Sequence, residues 1–281
     1  MQLFLHIGLI KTGSTYLQRV VFPQLPDDIA VIRPTVWSHP PSTVSTKRAL
    51  LISNENLAGN PLIEEGRQRS LYDEFAQCIE TSISIYESPR FIVGFREPAR
   101  FIQSVYKQYL HERGVLQWDD FLQLFLPAFG DLRFSRFIDC LEKNVKPENF
   151  FVYHQEELLD SEQQIIKSLT RFMGVEENEL RRKVESSQEN SSVPEQYEHA
   201  LRSLNKLSSG LRAFTFRHLG LRFGNIVLNP AWLCSRVLPA ILGKGVAKRD
   251  LSKLEAKYAS DWAETKIRIA KHRIEHRIRP E

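Results

Sequence analysis

Leu3-Phe-Leu-His-Ile-Gly-Leu-Ile-Lys-Thr-Gly-Ser-Thr15 decides the fold. Leu3–Ile7 is a short apolar run that reads as a strand, a Gly/Thr/Ser turn follows, and Ser14 to Phe22 has a helical pattern. A strand–loop–helix opening aims free backbone N–H groups and a helix N-terminus at one point, which suits a phosphate or a sulfate. Lys11 adds a mobile cation, Thr12, Ser14 and Thr15 add hydroxyl donors, and Gly13 lets the backbone come close. The plainer alternative is an ordinary βα turn with a solvent-facing lysine. Lys-Thr-Gly-Ser-Thr is a dense set of donors for that role.

Working outward, Asp27–Ile32 reads as a second strand and Arg33–Ser45 as a Pro/Ser-rich loop. Ala49–Ser53 is a third strand that runs into Asn54-Glu55-Asn56, and Arg67–Glu80 is a helix. Phe91–Phe95 is a fourth strand. Pro98 sits in the first turn of the next helix, which reaches about Glu112. Helices near Asp119–Phe125 and Arg133–Asn144, a strand at Phe150–Tyr153 and a helix over Glu162–Met173, stopped by Gly174, complete the series. Strands separated by helices predict βαβ units, hence an α/β fold with a central parallel sheet of about five strands flanked by helices. After Gly174 no strand pattern is clear. Glu195–Leu207 and Leu251–Ile269 read as amphipathic helices, the latter with Leu251, Leu254, Tyr258, Trp262 and Ile269 on one face. The expectation is one domain, with an α/β core over residues 1–175 and a helical, basic region over 176–281.

Composition sets limits. With 42% hydrophobic and 26% charged residues among 281, a sizeable core forms and wholesale disorder is excluded. Cys78, Cys140 and Cys234 stand far apart, so neither a disulfide framework nor a zinc site is indicated, and a reducing compartment is expected. The first residues read as a strand and not as a signal peptide. No run approaches the roughly 18–20 apolar residues of a membrane span. A cytoplasmic location is the expectation. The net charge of +4 is uneven. From Arg212 to Glu281 there are fifteen Lys/Arg against six Asp/Glu, a net +9, which leaves −5 on residues 1–211. That imbalance suggests an anionic partner without saying which.

The second motif is Phe91-Ile-Val-Gly-Phe-Arg-Glu-Pro-Ala-Arg-Phe-Ile-Gln-Ser-Val-Tyr106. Arg96 stands at the C-terminal end of a strand, the edge at which open α/β sheets bind ligands. Ser104 follows about two helical turns on, and if the turn folds back the two grip one phosphate, Arg96 with forked donors. Arg100 and Tyr106 lie nearby. The alternative is that Arg96 pairs with a carboxylate such as Glu97. A nucleotide P-loop would place the lysine after the second glycine, whereas Lys11 precedes Gly13. The third and fourth strands end in Ser53-Asn54-Glu55 and Arg96, without the Asp that magnesium-nucleotide chemistry wants.

Together the two motifs resemble the sulfotransferases that use 3′-phosphoadenosine 5′-phosphosulfate (PAPS), above all the bacterial and carbohydrate-type branches. The resemblance covers about residues 1–175 and is thin beyond. It implies a P-loop-like three-layer fold. It also implies that Lys11, Thr12, Gly13, Ser14 and Thr15 hold the 5′-phosphosulfate, that Arg96 and Ser104 hold the 3′-phosphate, and that no metal takes part. Asn190–Pro194 and Tyr258–Trp262 also look familiar for bacterial members, and Gly243-Lys-Gly245 is a counterpart for the family's basic loop over the nucleotide.

Sulfuryl transfer needs the acceptor deprotonated, the group held in line and the leaving oxygen stabilised. Glu55, ending the third strand, is the candidate base, with Lys11 as its catalytic partner. His6 and His154 compete with it. Carbohydrate-type members use Glu, so the resemblance implies a saccharide or glycolipid acceptor. The acid-free stretch within 223–249 is read as a buried core helix, a peripheral membrane contact, a dimer face or an acceptor wall. Nucleic-acid binding is not expected, because apolar residues interrupt the basic ones. Two further classes stay open: a P-loop-type small-molecule kinase, and a non-catalytic anion- or membrane-binding protein.

Overall fold

The computed structural model describes residues 1–9, 11–33, 46–59, 62, 70–112, 114–129, 132–176, 179–180, 197–206 and 249–278. The expectations for Asn190–Pro194, for Gly243-Lys-Gly245 and for residues 223–248 lie outside that set.

Five strands form one sheet: β1 (Gln2–Gly8), β2 (Ile29–Ile32), β3 (Ala49–Ser53), β4 (Arg90–Phe95) and β5 (Phe150–His154). Their order is β2-β3-β1-β4-β5 and every neighbouring pair is parallel. The α/β fold with a parallel sheet, expected from the alternating pattern, is the observed one. The chain builds β2 and β3 on one side of β1, then β4 and β5 on the other. The order therefore reverses at β1, and the crevice beyond its C-terminal end is the favoured ligand position in such a sheet. In register, His6 pairs with Ser53 of β3 and Gly8 with Gly94 of β4. Glu55 and Arg96 thus emerge on either side of the loop that follows β1.

Contacts divide the chain into two compact units, one of Met1–Phe101, Pro127–Ser187 and Lys253–Glu281, the other of Ile102–Leu126 and Gln188–Ser252. In the first unit, alternation along the strands gives the sheet two apolar faces. One carries Phe4, Leu51, Ile92, Phe151 and Tyr153. It packs against Leu17, Val21 and Phe22 of the first helical segment and Ile165, Leu169 and Phe172 of α7 (Glu162–Phe172). That first segment is not the plain helix expected over Ser14–Phe22. It runs as α1 (Ser14–Tyr16), a π-helical turn over Leu17–Val21 and a 3-10 turn over Phe22–Gln24, where Pro23 supplies no N–H to continue a regular ladder.

The opposite face is covered by α2 (Leu71–Ile85), α5 (Phe134–Asn144) and α8 (Ser252–Ile278). Phe95 lies 5.3 Å from Phe134, and Phe75 lies 5.0 Å from Phe137, centroid to centroid. α2 starts at Leu71, and the expected start at Arg67 lies outside the described residues. Ser70 accepts from the Asp73 N–H at 3.2 Å, and Asp73 accepts from the Ser70 N–H at 3.1 Å, a reciprocal cap worth about 1 kcal/mol. A short helix that the sequence pattern did not disclose, α6 (Gln155–Asp160), follows β5 directly and precedes α7 (Glu162–Phe172).

α8 exceeds the span expected and buries Tyr258, Trp262, Thr265, Ile269 and His272 at alternating spacings of four and three residues. Asp261 on it caps α5, whose own Arg133 offers no side-chain cap. Its carboxylate accepts from the backbone N–H groups of Phe134 at 2.8 Å and Ser135 at 3.3 Å, and from the Ser135 hydroxyl.

The second unit holds the parts of α3 (Pro98–His111) from Ile102 and of α4 (Trp118–Phe129) to Leu126, with a helical stretch at 198–206. Tyr106, Tyr109, Trp118, Phe121 and Phe125 form its aromatic core, with Phe121 and Phe125 stacked at 4.7 Å. Tyr106 donates to the Leu116 carbonyl and accepts from Arg202, so its hydroxyl is engaged in packing. The Arg249 guanidinium lies over Tyr106 and Trp118 and is paired with the buried Glu198 at 2.5 Å. No helix among the described residues is long and apolar enough to cross a membrane.

Asp261→Ala should cost about 1–2 kcal/mol, because it strips the first turn of α5 of its only side-chain acceptor among the described residues. Urea denaturation measures it. An unchanged midpoint would show that solvent replaces the cap without loss.

Candidate active site

The loop after β1 is built around two left-handed backbone positions. Lys11 has φ 66° and Gly13 has φ 94°. Glycine takes this conformation at no steric cost, but lysine does not, so the loop holds Lys11 there at an energetic expense. Strain of that kind needs compensating contacts, and one is visible. Arg96, emerging from β4, donates from Nη1 to the Lys11 carbonyl at 3.1 Å across 85 residues of sequence. The two motifs read from the sequence are joined by this bond. The Gly13 carbonyl accepts from the N–H groups of Tyr16 (3.0 Å) and Leu17 (3.2 Å), which starts α1.

The hydroxyls of the loop are employed unequally. Thr12 is buried and donates to the Leu9 carbonyl at 2.6 Å, so its proton is spent inside the loop. Ser14 is 1% exposed, and its Oγ has no hydrogen-bond partner among the described residues. It lies over Gly8, where a Cβ would approach it to 1.9 Å. Thr15 is half-buried.

Arg96 is buried enough to lower its affinity for its proton. Glu156 and Glu97 oppose that effect, and Arg100 adds to it. Its Nε–H is buried without a partner among the described residues. The alternative pairing with Glu97 is not what the geometry gives. The Glu97 carboxylate accepts from the N–H groups of Ala99 (3.0 Å) and Arg100 (2.8 Å) and so caps α3. Arg100 is exposed, and Ser104 is half-buried two turns into α3, in the stretch assigned to the second unit.

Glu55 is half-buried in the turn after β3. Asn54 shapes that turn by accepting from the Asn56 N–H at 2.8 Å, while its own N–H continues the pairing to the His6 carbonyl at 3.3 Å. Burial raises the pKa of Glu55, and the nearby charge of Lys11 pulls against that rise. Lys11, Arg96 and Glu55 therefore share one end of the sheet.

The two histidines that compete with Glu55 are both engaged. His6 is fully buried, with Nδ1 2.7 Å from the Ser53 hydroxyl and Nε2 3.4 Å from the Tyr153 hydroxyl. Burial lowers its pKa to about 3, so it is neutral at ordinary pH. His154 sits between Glu156 (3.0 Å) and Glu157 (3.3 Å), whose charges raise its pKa against the opposing effect of burial. Glu157 in turn meets Arg273 of α8. Tyr153, Gln18, Ser53 and Glu156 were not singled out in the sequence. Their roles depend on sheet register and on α6, neither of which leaves a motif. Among the described residues no cluster of three His, Cys, Asp or Glu side chains is set to hold a metal ion.

No family model matches the chain, and no curated protein matches it. Solved structures do. A sulfotransferase from Alicyclobacillus acidocaldarius is 16% identical over 78% of this chain and 98% of its own, with a TM-score of 0.46. Mouse sulfotransferase SULT7A1, complexed with PAP, is 14% identical over 94% of this chain and 84% of its own, at 0.44. A sulfotransferase domain from the curacin biosynthetic pathway is 14% identical over 73% and 65%, at 0.34. These are distant likenesses, at identities where chemistry does not transfer from one chain to another.

The depressed pKa of His6 has a consequence for stability. Between about 6.5 and about 3 the unfolded chain binds a proton at His6 that the folded chain does not. Stability from this source is complete above pH about 6.5 and is lost as pH falls toward 3. Replacing His6 with Gln should flatten the fall in the urea midpoint across that window relative to wild type. Parallel pH profiles for the two proteins would contradict it.

Proposed function

We propose that the chain transfers a sulfuryl group from PAPS to an acceptor hydroxyl. The observation that supports this reading is the bond from Arg96 to the Lys11 carbonyl, which brings these two cationic residues together at the sheet edge that also carries Glu55. The donor set fits a phosphosulfate. Lys11 and Arg96 are cations, and the Ser14 hydroxyl and the Arg96 Nε–H are buried donors without partners among the described residues, so an oxyanion offers them acceptors.

PAPS when bound supplies an activated sulfuryl group on a phosphate leaving oxygen. In this reading Lys11 and the N–H groups of the loop stabilise charge as it builds on that oxygen. Arg96 anchors the donor. Glu55 takes the acceptor proton, and its raised pKa brings it nearer the range in which a general base works at neutral pH. The acceptor is proposed to be a saccharide or glycolipid hydroxyl, on the strength of a glutamate as base. The protein is proposed to work in the cytoplasm, with peripheral membrane contact through residues 223–249.

Glu55→Gln should lower turnover about 10²–10⁴-fold and leave binding of adenosine 3′,5′-bisphosphate unchanged by calorimetry. Arg96→Ala should raise the KM for PAPS about 10–100-fold, the loss of a charge-assisted bond. Sulfate transfer from labelled PAPS to a panel of sugars, glycolipids and polysaccharides reads the activity. Preference for ATP with magnesium over the bisphosphate would replace this reading with a kinase. Binding of neither nucleotide would leave a non-catalytic role.

A further inference from the structure

β4 and β5 end side by side. In their parallel pairing His154 stands opposite Phe95. The residues that follow, Arg96-Glu97 and Gln155-Glu156, therefore leave the sheet as neighbours. One side chain joins them. Glu156 Oε1 accepts from the backbone N–H of Glu97 at 3.4 Å, and Glu156 Oε2 is 3.0 Å from His154 Nδ1. One oxygen of the carboxylate is committed to the turn after β4, the other to the end of β5.

The bond to His154 is a charged one. Nε2 of the same ring is 3.3 Å from Glu157 Oε1. Both ring nitrogens thus face carboxylate oxygens, which accept and do not donate when ionised, and only the doubly protonated ring donates to both. A neutral ring would set a bare nitrogen against an oxygen. Burial alone would lower the pKa of His154, but the bonds to Glu156 and Glu157 raise it. The ring is held in place from its other sides. Trp262 of α8 meets it edge to face at 5.6 Å, and Glu157 is itself fixed by the His154 N–H at 3.3 Å and by Arg273.

Held in this way, Glu156 fixes the backbone next to Arg96. Glu97 is tied through its N–H to Glu156 and through its carboxylate to the first turn of α3. Phe95, on the other side of Arg96, lies in the β4–β5 ladder. Arg96 is thus anchored before and after, and its guanidinium reaches the Lys11 carbonyl at 3.1 Å from a set position. Charge alone would make Glu156 a liability, because a carboxylate beside an anion site repels the anion.

We propose that Glu156 is a positioning residue for Arg96: clamped by His154, its carboxylate fixes the turn after β4 from which Arg96 reaches the anion-binding loop. The proposal rests on the reading of Arg96 as an anchor for the donor.

The test compares Glu156→Ala with Glu156→Gln in the full chain. Both remove the charge. Glu156→Gln keeps an oxygen that can accept from the Glu97 N–H, and its NH2 group can donate to a neutral His154. By calorimetry, the Kd for adenosine 3′,5′-bisphosphate should be about 10-fold higher for Glu156→Ala than for Glu156→Gln, the effect of one hydrogen bond. In an Arg96→Ala background that difference should vanish, since Glu156 acts through Arg96. Hydrogen exchange followed by NMR gives a second readout without ligand. The Glu97 amide should exchange about 10-fold faster in Glu156→Ala than in Glu156→Gln, with β1 and β3 unchanged. Glu156→Met, which fills the space without an acceptor, replaces Glu156→Ala if that variant does not fold. If the wild type binds no bisphosphate, the reading of Arg96 as an anchor fails, and exchange at Glu97 alone decides the positioning role. Equal affinities for Glu156→Ala and Glu156→Gln, tighter binding by Glu156→Ala, or a difference that persists without Arg96 would overturn the proposal.

Discussion

A single charged hydrogen bond organises the ligand end of this sheet: the guanidinium of Arg96 on the carbonyl of Lys11. Lys11 occupies a backbone conformation that lysine avoids, and Arg96 has been taken largely out of water. Neither is stable alone. Left-handed backbone at a non-glycine residue costs on the order of 1–3 kcal/mol, and removing a cation from water costs several. Meeting offsets part of both. The charges of Glu156 and Glu97 oppose the burial of Arg96, and Glu156 stands in the helix that begins at Gln155 immediately after β5. The turn after β1, the end of β4 and the start of α6 therefore depend on one another, although they lie far apart in sequence.

Charge pairs elsewhere have less to do. Arg48 and Asp28 approach to 3.0 Å while both are about half exposed, and a pair of that kind adds at most about 1 kcal/mol. The cluster that ties α8 to α5 is better sheltered. Arg268 meets Asp139 at 2.7 Å and Glu142 at 2.5 Å with only 17% of its side chain exposed, and His272 reaches Glu142 at 2.8 Å. With the Asp261 cap, these contacts join two of the three helices that cover one face of the sheet.

The sheet was legible because each strand is a short apolar run between turn residues. β3 was read to the residue. α6 was not seen, since Gln155–Asp160 is six residues long and lacks an apolar stripe; its start is set by His154 and Glu157 bonding across the cap, which no periodicity records. Of the candidate site, Lys11, Arg96 and Glu55 were found because turn chemistry and strand ends are local features. What could not be read was the direction of each hydroxyl. Thr12 and Ser14 look equivalent in Lys-Thr-Gly-Ser-Thr, yet the Thr12 proton is given to Leu9 and Ser14 Oγ has no partner among the described residues. Two of the boundaries between the compact units fall inside α3 and α4, where no linker composition marks them.

The net charge of residues 1–211 is −5, yet an anion site is proposed among them. The two facts are compatible because charges beyond about 8 Å are screened at physiological salt, so what matters is which charges face the loop and which are already committed. Glu97 caps α3 and Glu156 is bonded to His154, so neither is free to repel an anion fully. Glu55 is the carboxylate whose pKa is raised, and Lys11 is what restrains the rise. An anion bound at Lys11 would neutralise that restraint, and the pKa of Glu55 would climb further toward the range of an effective base. In the proposed reaction the donor's own charge would then tune the group that deprotonates the acceptor.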